Sequence, residues 1–62
     1  MNIAILDYSA SEVRLINNCP DSWKEEQIEE YIYGEDGLDI SESSTYYMCG
    51  DAFSIKQEEY KP

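Results

Sequence analysis

"WKEEQIEEYIYGED", residues 23–36, decides the fold, because it reads either as an acidic block or as the two sides of one helix. Its fourteen residues hold six acids, two tyrosines, two isoleucines and one tryptophan. Wound at about 100° per residue, Trp23, Lys24, Gln27, Ile28, Tyr31 and Ile32 share one half of the helix. Glu25, Glu26, Glu29, Glu30 and Tyr33 take the other half. The first half can cover a sheet, and the second must face water. Ser22 and Glu25 have the spacing of a capping box, with Ser22 as N-cap and Glu25 reaching back. A helix is therefore predicted from about Trp23 to Tyr33, ended by Gly34 or Gly37. Its glutamates at i,i+3 and i,i+4 repel by about 0.2–0.5 kcal/mol per pair. The helix dipole offsets part of this near the start of the helix and none near its end.

Outward from the helix, the pattern turns to strands. "NIAILDY", Asn2 to Tyr8, is apolar on both faces, as suits a central strand. "SAS", residues 9–11, is a small polar turn. "EVRLIN", residues 12–17, alternates, with Val13 and Leu15 on one face and Glu12, Arg14 and Ile16 on the other, so a β-hairpin is expected. Pro20 in "NCPDS" breaks the sheet pattern and biases Cys19 away from helix. After the helix, "GEDGLDISESS" reads as a loop anchored by Leu38 and Ile40. "TYYMC", residues 45–49, is rich in β-formers, "GD" makes a two-residue turn, and "AFSIKQ", residues 52–57, alternates with Phe53 and Ile55 inward. The expected fold is α+β: a ββαββ chain whose four-stranded, mainly antiparallel sheet carries one helix on one face. Residues 1–62 form one small domain, with 57–62 as a flexible tail. Domains normally comprise two packed layers, so the uncovered sheet face needs a partner. Tyr8, Ile16, Tyr46 and Met48 are candidates to lie on it.

Composition bounds the rest. A chain of 62 residues buries only about 60% of the surface that its unfolded state exposes, and gains little core. Its net charge of −10 favours disorder, whereas the short periodic apolar runs favour a fold. Two cysteines, Cys19 and Cys49, stand without a CxxC pair and without any histidine, a poor set for zinc. No basic leader segment opens the sequence, and no apolar run approaches the roughly 18 residues of a membrane span. Reduced thiols and a cytoplasmic location are expected. Cys19, beside Pro20, is expected to be the more exposed thiol, and Cys49 a small strand residue.

Chemistry is scarce. With no histidine, Ser-His and Cys-His nucleophile pairs are excluded, and a paired-carboxylate site needs a cleft that one sheet and one helix hardly provide. No catalytic residue and no cofactor are expected. The acidic loop fails as a calcium motif: with Gly37 as the invariant glycine, the required acids fall on Ile32, Gly34 and Ser43, and only Asp36 fits. No metal is expected. Four basic residues cannot track a phosphate backbone, so direct nucleic-acid binding is not expected.

Two functional classes remain. In the first, the protein acts by protein–protein contact, through Glu25, Glu26, Glu29, Glu30 and Tyr33 together with surplus tyrosines, and homodimerisation is one way to cover the bare face. Tyr33 either forms a hot spot among the glutamates or folds back onto Leu38. In the second class, the acidic row of Glu25, Glu26, Glu29 and Glu30, continued in the loop by Glu35, Asp36, Asp39 and Glu42, imitates a nucleic acid and occupies a basic partner's groove. In size and charge the chain is similar to phage and plasmid inhibitors of restriction and CRISPR systems. The layout "NIAILDYSASEVRLI", "EEQIEEYIY", "SSTYYMCGD" also resembles short acidic proteins of gut anaerobes and their mobile elements, a family of unknown function. That resemblance implies a bacterial cytoplasmic protein and carries no catalytic residue across.

Overall fold

The computed structural model describes all 62 residues, Met1–Pro62. β1 (Asn2–Asp7) and β2 (Glu12–Ile16) form the expected hairpin. The helix α1 (Glu25–Tyr33) follows, then a short 3-10 turn (Glu42–Ser44) and β3 (Thr45–Gly50). The sheet has three strands in the order β2-β1-β3, antiparallel throughout. β1 is central: Ile5 stands between Arg14 of β2 and Tyr47 of β3, and Leu6 between Val13 and Tyr46.

The period of two along β1 sends Ile3, Ile5 and Asp7 to the helix side and Ala4 and Leu6 to the other. Ile28 and Ile32 of α1 meet Ile3 and Ile5, and Cys19 and Ile40 complete the buried core. Ile3, Ile5 and Ile32 have no exposed surface at all. Trp23 packs beside Tyr31 with ring centroids 5.3 Å apart, extending the apolar side of the helix as its sequence indicates.

α1 ends at Tyr33 with Gly34 as its C-cap, as expected, but its start departs from expectation. The helix begins at Glu25, not Trp23, because the Trp23 N–H donates to the Pro20 carbonyl and draws residues 20–23 into a turn of their own. Ser22 stays outside the helix, and the reaching-back role belongs to Gln27, whose Oε1 accepts the Lys24 N–H at 2.7 Å. At the other end the chain doubles back. The Leu38 N–H donates to the Tyr31 carbonyl at 2.8 Å and the Ile40 N–H to the Ile32 carbonyl at 3.0 Å, occupying acceptors that the helix leaves open. Gly37 makes this approach possible, since a Cβ there would collide with the Tyr31 carbonyl oxygen.

The hairpin turn is built on Asp7. One of its carboxylate oxygens accepts from the Ser9 hydroxyl at 2.8 Å, the Ser9 N–H at 3.1 Å and the Ala10 N–H at 3.3 Å. These bonds, the Ser9 hydroxyl foremost, hold its carboxyl below the usual carboxylate range.

Three expectations are corrected. The four-stranded ββαββ sheet does not form, because Ala52 to Gln57 is not a strand. No backbone hydrogen bond between secondary elements or loops involves residues beyond β3. Instead the Phe53 ring lies over Gly50, about where a side chain there would stand, and Phe53 and Ile55 turn to the apolar sheet face opposite the helix. Phe53 is half-buried there and Ile55 stays exposed. Second, Ile16 stands opposite Ile3 on the helix side, so it does not belong to the bare face; Tyr8, Tyr46 and Met48 are exposed. Third, the thiols are reversed. Cys19 is buried, because its N–H donates to the Met1 carbonyl and turns the chain inward, whereas Cys49 is exposed. No helix is long and apolar enough to cross a membrane.

Two predictions test this packing. Ile32→Ala should destabilise the domain by about 2–5 kcal/mol, whereas Ile55→Ala should change stability by less than about 0.5 kcal/mol; urea unfolding measures both. A fourth strand with Ile55 inward would make the second variant costly as well. The Asp7 carboxyl is depressed by folding, so its contribution is present above the unfolded carboxyl pKa and lost as pH falls through the folded value. Asp7→Asn keeps an acceptor and removes the charge. It should be less stable than the parent at pH 7, and the gap should close below about pH 4, in paired unfolding curves.

Candidate protein-interaction site

Alternation along the three strands assembles two very different surfaces. Opposite the helix, Leu6 of β1 stands in register with Val13 of β2 and Tyr46 of β3, and Ala4 with Leu15 and Met48. Nothing covers this face fully: Val13 is 75% exposed, Tyr46 67% and Met48 58%. Phe53 and Ile55 border it, leaving a groove of about 370 Å³. The Tyr8 and Tyr46 rings lean together at one end, with centroids 5.7 Å apart. A contiguous apolar surface of this kind is uncommon on a monomeric protein.

The helix side carries the acids. Glu25, Glu26 and Glu30 are exposed, and Glu29 and Tyr33 are half-buried. Helical spacing sends Glu25, Glu29 and Tyr33 down the flank of α1 that overlooks β3, while Glu26 and Glu30 face away from the sheet. Tyr33 meets Tyr47 of β3 edge to face, with centroids 6.5 Å apart. Burial pushes the Tyr33 hydroxyl above its ordinary range, and Glu42 and Glu29 add to the shift. Burial likewise raises Tyr47, helped by Glu29 and Glu25. The five residues singled out from the sequence are thus divided. Glu25, Glu29 and Tyr33 gather with Glu42 and Tyr47 beside β3, and Glu26 and Glu30 form a separate outer row.

The sequence places Glu42 in the acidic row that continues from the helix through Glu35, Asp36 and Asp39, but it gives no sign that Tyr47 joins this cluster. It also left Leu6, Val13 and Leu15 unassigned to a face. The alternation in "TYYMC" already groups Tyr47 with Thr45 and Cys49, but it carries no signal for which group meets the helix. Residues 34–44, for all their acids, bring no three potential ligands together at a metal-binding distance. Cys49 is exposed as a residue, but partial desolvation of its thiol, with Cys19 adding to it, pushes the thiol up.

Glu29→Gln removes a negative charge next to both tyrosines. It should bring the Tyr33 and Tyr47 titrations part of the way back down, with burial keeping them above the ordinary range; ultraviolet absorbance against pH measures this.

No family model, no curated protein and no solved structure matches the chain.

Proposed function

We propose that this protein is a non-catalytic binding domain that acts by protein–protein contact in the bacterial cytoplasm, where both thiols stay reduced. Its main contact surface is the bare sheet face of Leu6, Val13, Leu15, Tyr46 and Met48, with the acidic flank of Glu25, Glu29 and Tyr33 beside it. The observation that carries this reading is the exposure of that face: the helix covers one side of the sheet, and the contiguous apolar surface left on the other is covered by a partner. Tyrosine and methionine, both present there, are enriched in interfaces because they combine large area with adaptable contacts.

A second reading, nucleic-acid mimicry, is favoured by one specific observation. The ion pairs of the chain are Met1 with Asp21 and Arg14 with Glu12, so no basic group of the chain pairs with the helix glutamates. In that reading Glu25, Glu26, Glu29 and Glu30 enter the groove of a DNA- or RNA-binding protein. The two readings differ in the force that holds the partner. Capture from a bacterial lysate, with the parent, a Val13→Asp/Met48→Asp variant and a Glu26→Lys/Glu29→Lys variant as baits, separates them. A partner held by the sheet face survives high salt, is lost with the aspartates and is kept by the lysines. The mimic predicts the reverse on all three counts. A partner lost from neither variant would sink both readings.

A further inference from the structure

The bare face has a neighbour of a different kind, the outer edge of β3. β3 pairs with β1 on one side, and no strand lies on its other side. Every second residue of Thr45–Gly50 therefore turns its N–H and C=O outward. None of the backbone hydrogen bonds made by turns and loops reaches them. Natural edge strands are usually protected by lysine, proline or inward charges. β2, the opposite edge, contains Glu12 and Arg14, but "TYYMCG" contains no charge and no proline.

The two sides of that edge are chemically unlike. On the helix side stand Glu25, Glu29 and Glu42, gathered about Tyr33 and Tyr47 and unpaired by any lysine or arginine. On the other side lie Tyr46 and Met48, both exposed. An added strand alternates its own side chains between these two environments.

We propose that the partner engages this protein as an extended segment added to the β3 edge, with lysine or arginine at alternate positions against the carboxylates and apolar residues between them against Tyr46 and Met48. This deepens the protein-contact reading and rests on it. Charge complementarity selects the occupant. A second copy would bring its own glutamates against these, at a net −10 on each chain. The C-terminal segment of the same chain already lies on the apolar face and leaves the edge free.

The test uses the full chain and three synthetic peptides: one alternating lysine and valine, one alternating glutamate and valine, and the lysine peptide N-methylated at alternate residues along its bonding edge. Backbone NMR with amide exchange reads the site. The lysine peptide should protect the outward amides of Thr45–Gly50. It should bind about tenfold or more tighter than the glutamate peptide, with a margin that shrinks as salt rises, and N-methylation should abolish the protection. Equal binding of the charged peptides, or protection anywhere but β3, overturns the proposal. Sedimentation equilibrium of the chain alone provides a further check: a mass of 7.2 kDa agrees with a free edge, and twice that mass together with protection of the outward β3 amides without peptide makes a second copy the occupant and overturns it. If the peptides fail while the lysate partner is still lost with Val13→Asp/Met48→Asp, the edge is wrong and the sheet-face reading stands.

Discussion

Four isoleucines hold the layers of this protein together: Ile3 and Ile5 of the central strand against Ile28 and Ile32 of the helix. The contact has to carry a great deal. A helix of nine residues is too short to persist by itself in water, and its clustered glutamates oppose it further. Its stability is therefore borrowed from the sheet. The sheet, with three strands and one bare face, in turn depends on the helix to cover the other. Each side chain of the quartet is β-branched, which suits the pleated strand and stiffens the contact on the helix.

From this contact the placement of everything else follows. With Ile28 and Ile32 pinned over β1, the helix has no freedom to rotate. One flank must bring Tyr31 to Trp23, and the other must bring Glu25, Glu29 and Tyr33 over β3. Charge and apolar surface are thereby sorted onto opposite sides of a single sheet. A domain of 62 residues that would be marginal if its apolar groups were scattered instead keeps one dry core and offers one concentrated apolar face.

Much of this was legible in the sequence. The hairpin, the helix and its two-sided character come from periodicity and from the breaks at Pro20 and Gly34. The inward pull of Ile40 is visible as an apolar residue within a polar loop. What periodicity could not supply was the phase of each strand, since both faces of "NIAILDY" are apolar and either could meet the helix. Ile16 was misplaced for that reason. The last strand was misread because "AFSIKQ" has the alternation of a strand, and alternation is equally compatible with a segment whose apolar side chains drape over a bare face. For the candidate site, the row of glutamates was evident, but its division into a β3 flank and an outer row needed the packing of Tyr33 on Tyr47. Cys19 was assigned by its proline neighbour rather than by the three-dimensional turn that buries it.

The register of the central strand has a consequence for biosynthesis. Asn2 stands opposite Gly50 and Asp7 opposite Thr45, so the middle strand is made first and one of its two neighbours last. The β1–β2 hairpin can close early, but the helix has no complete sheet to rest on until β3 has left the ribosome. Folding is thus held back to a single late closure across nearly the whole span between these strands, a non-local topology of the slow-forming kind. Until then the isoleucines of β1 are bare, and the surfeit of negative charge becomes useful in another way: it keeps nascent chains apart while their core is still open.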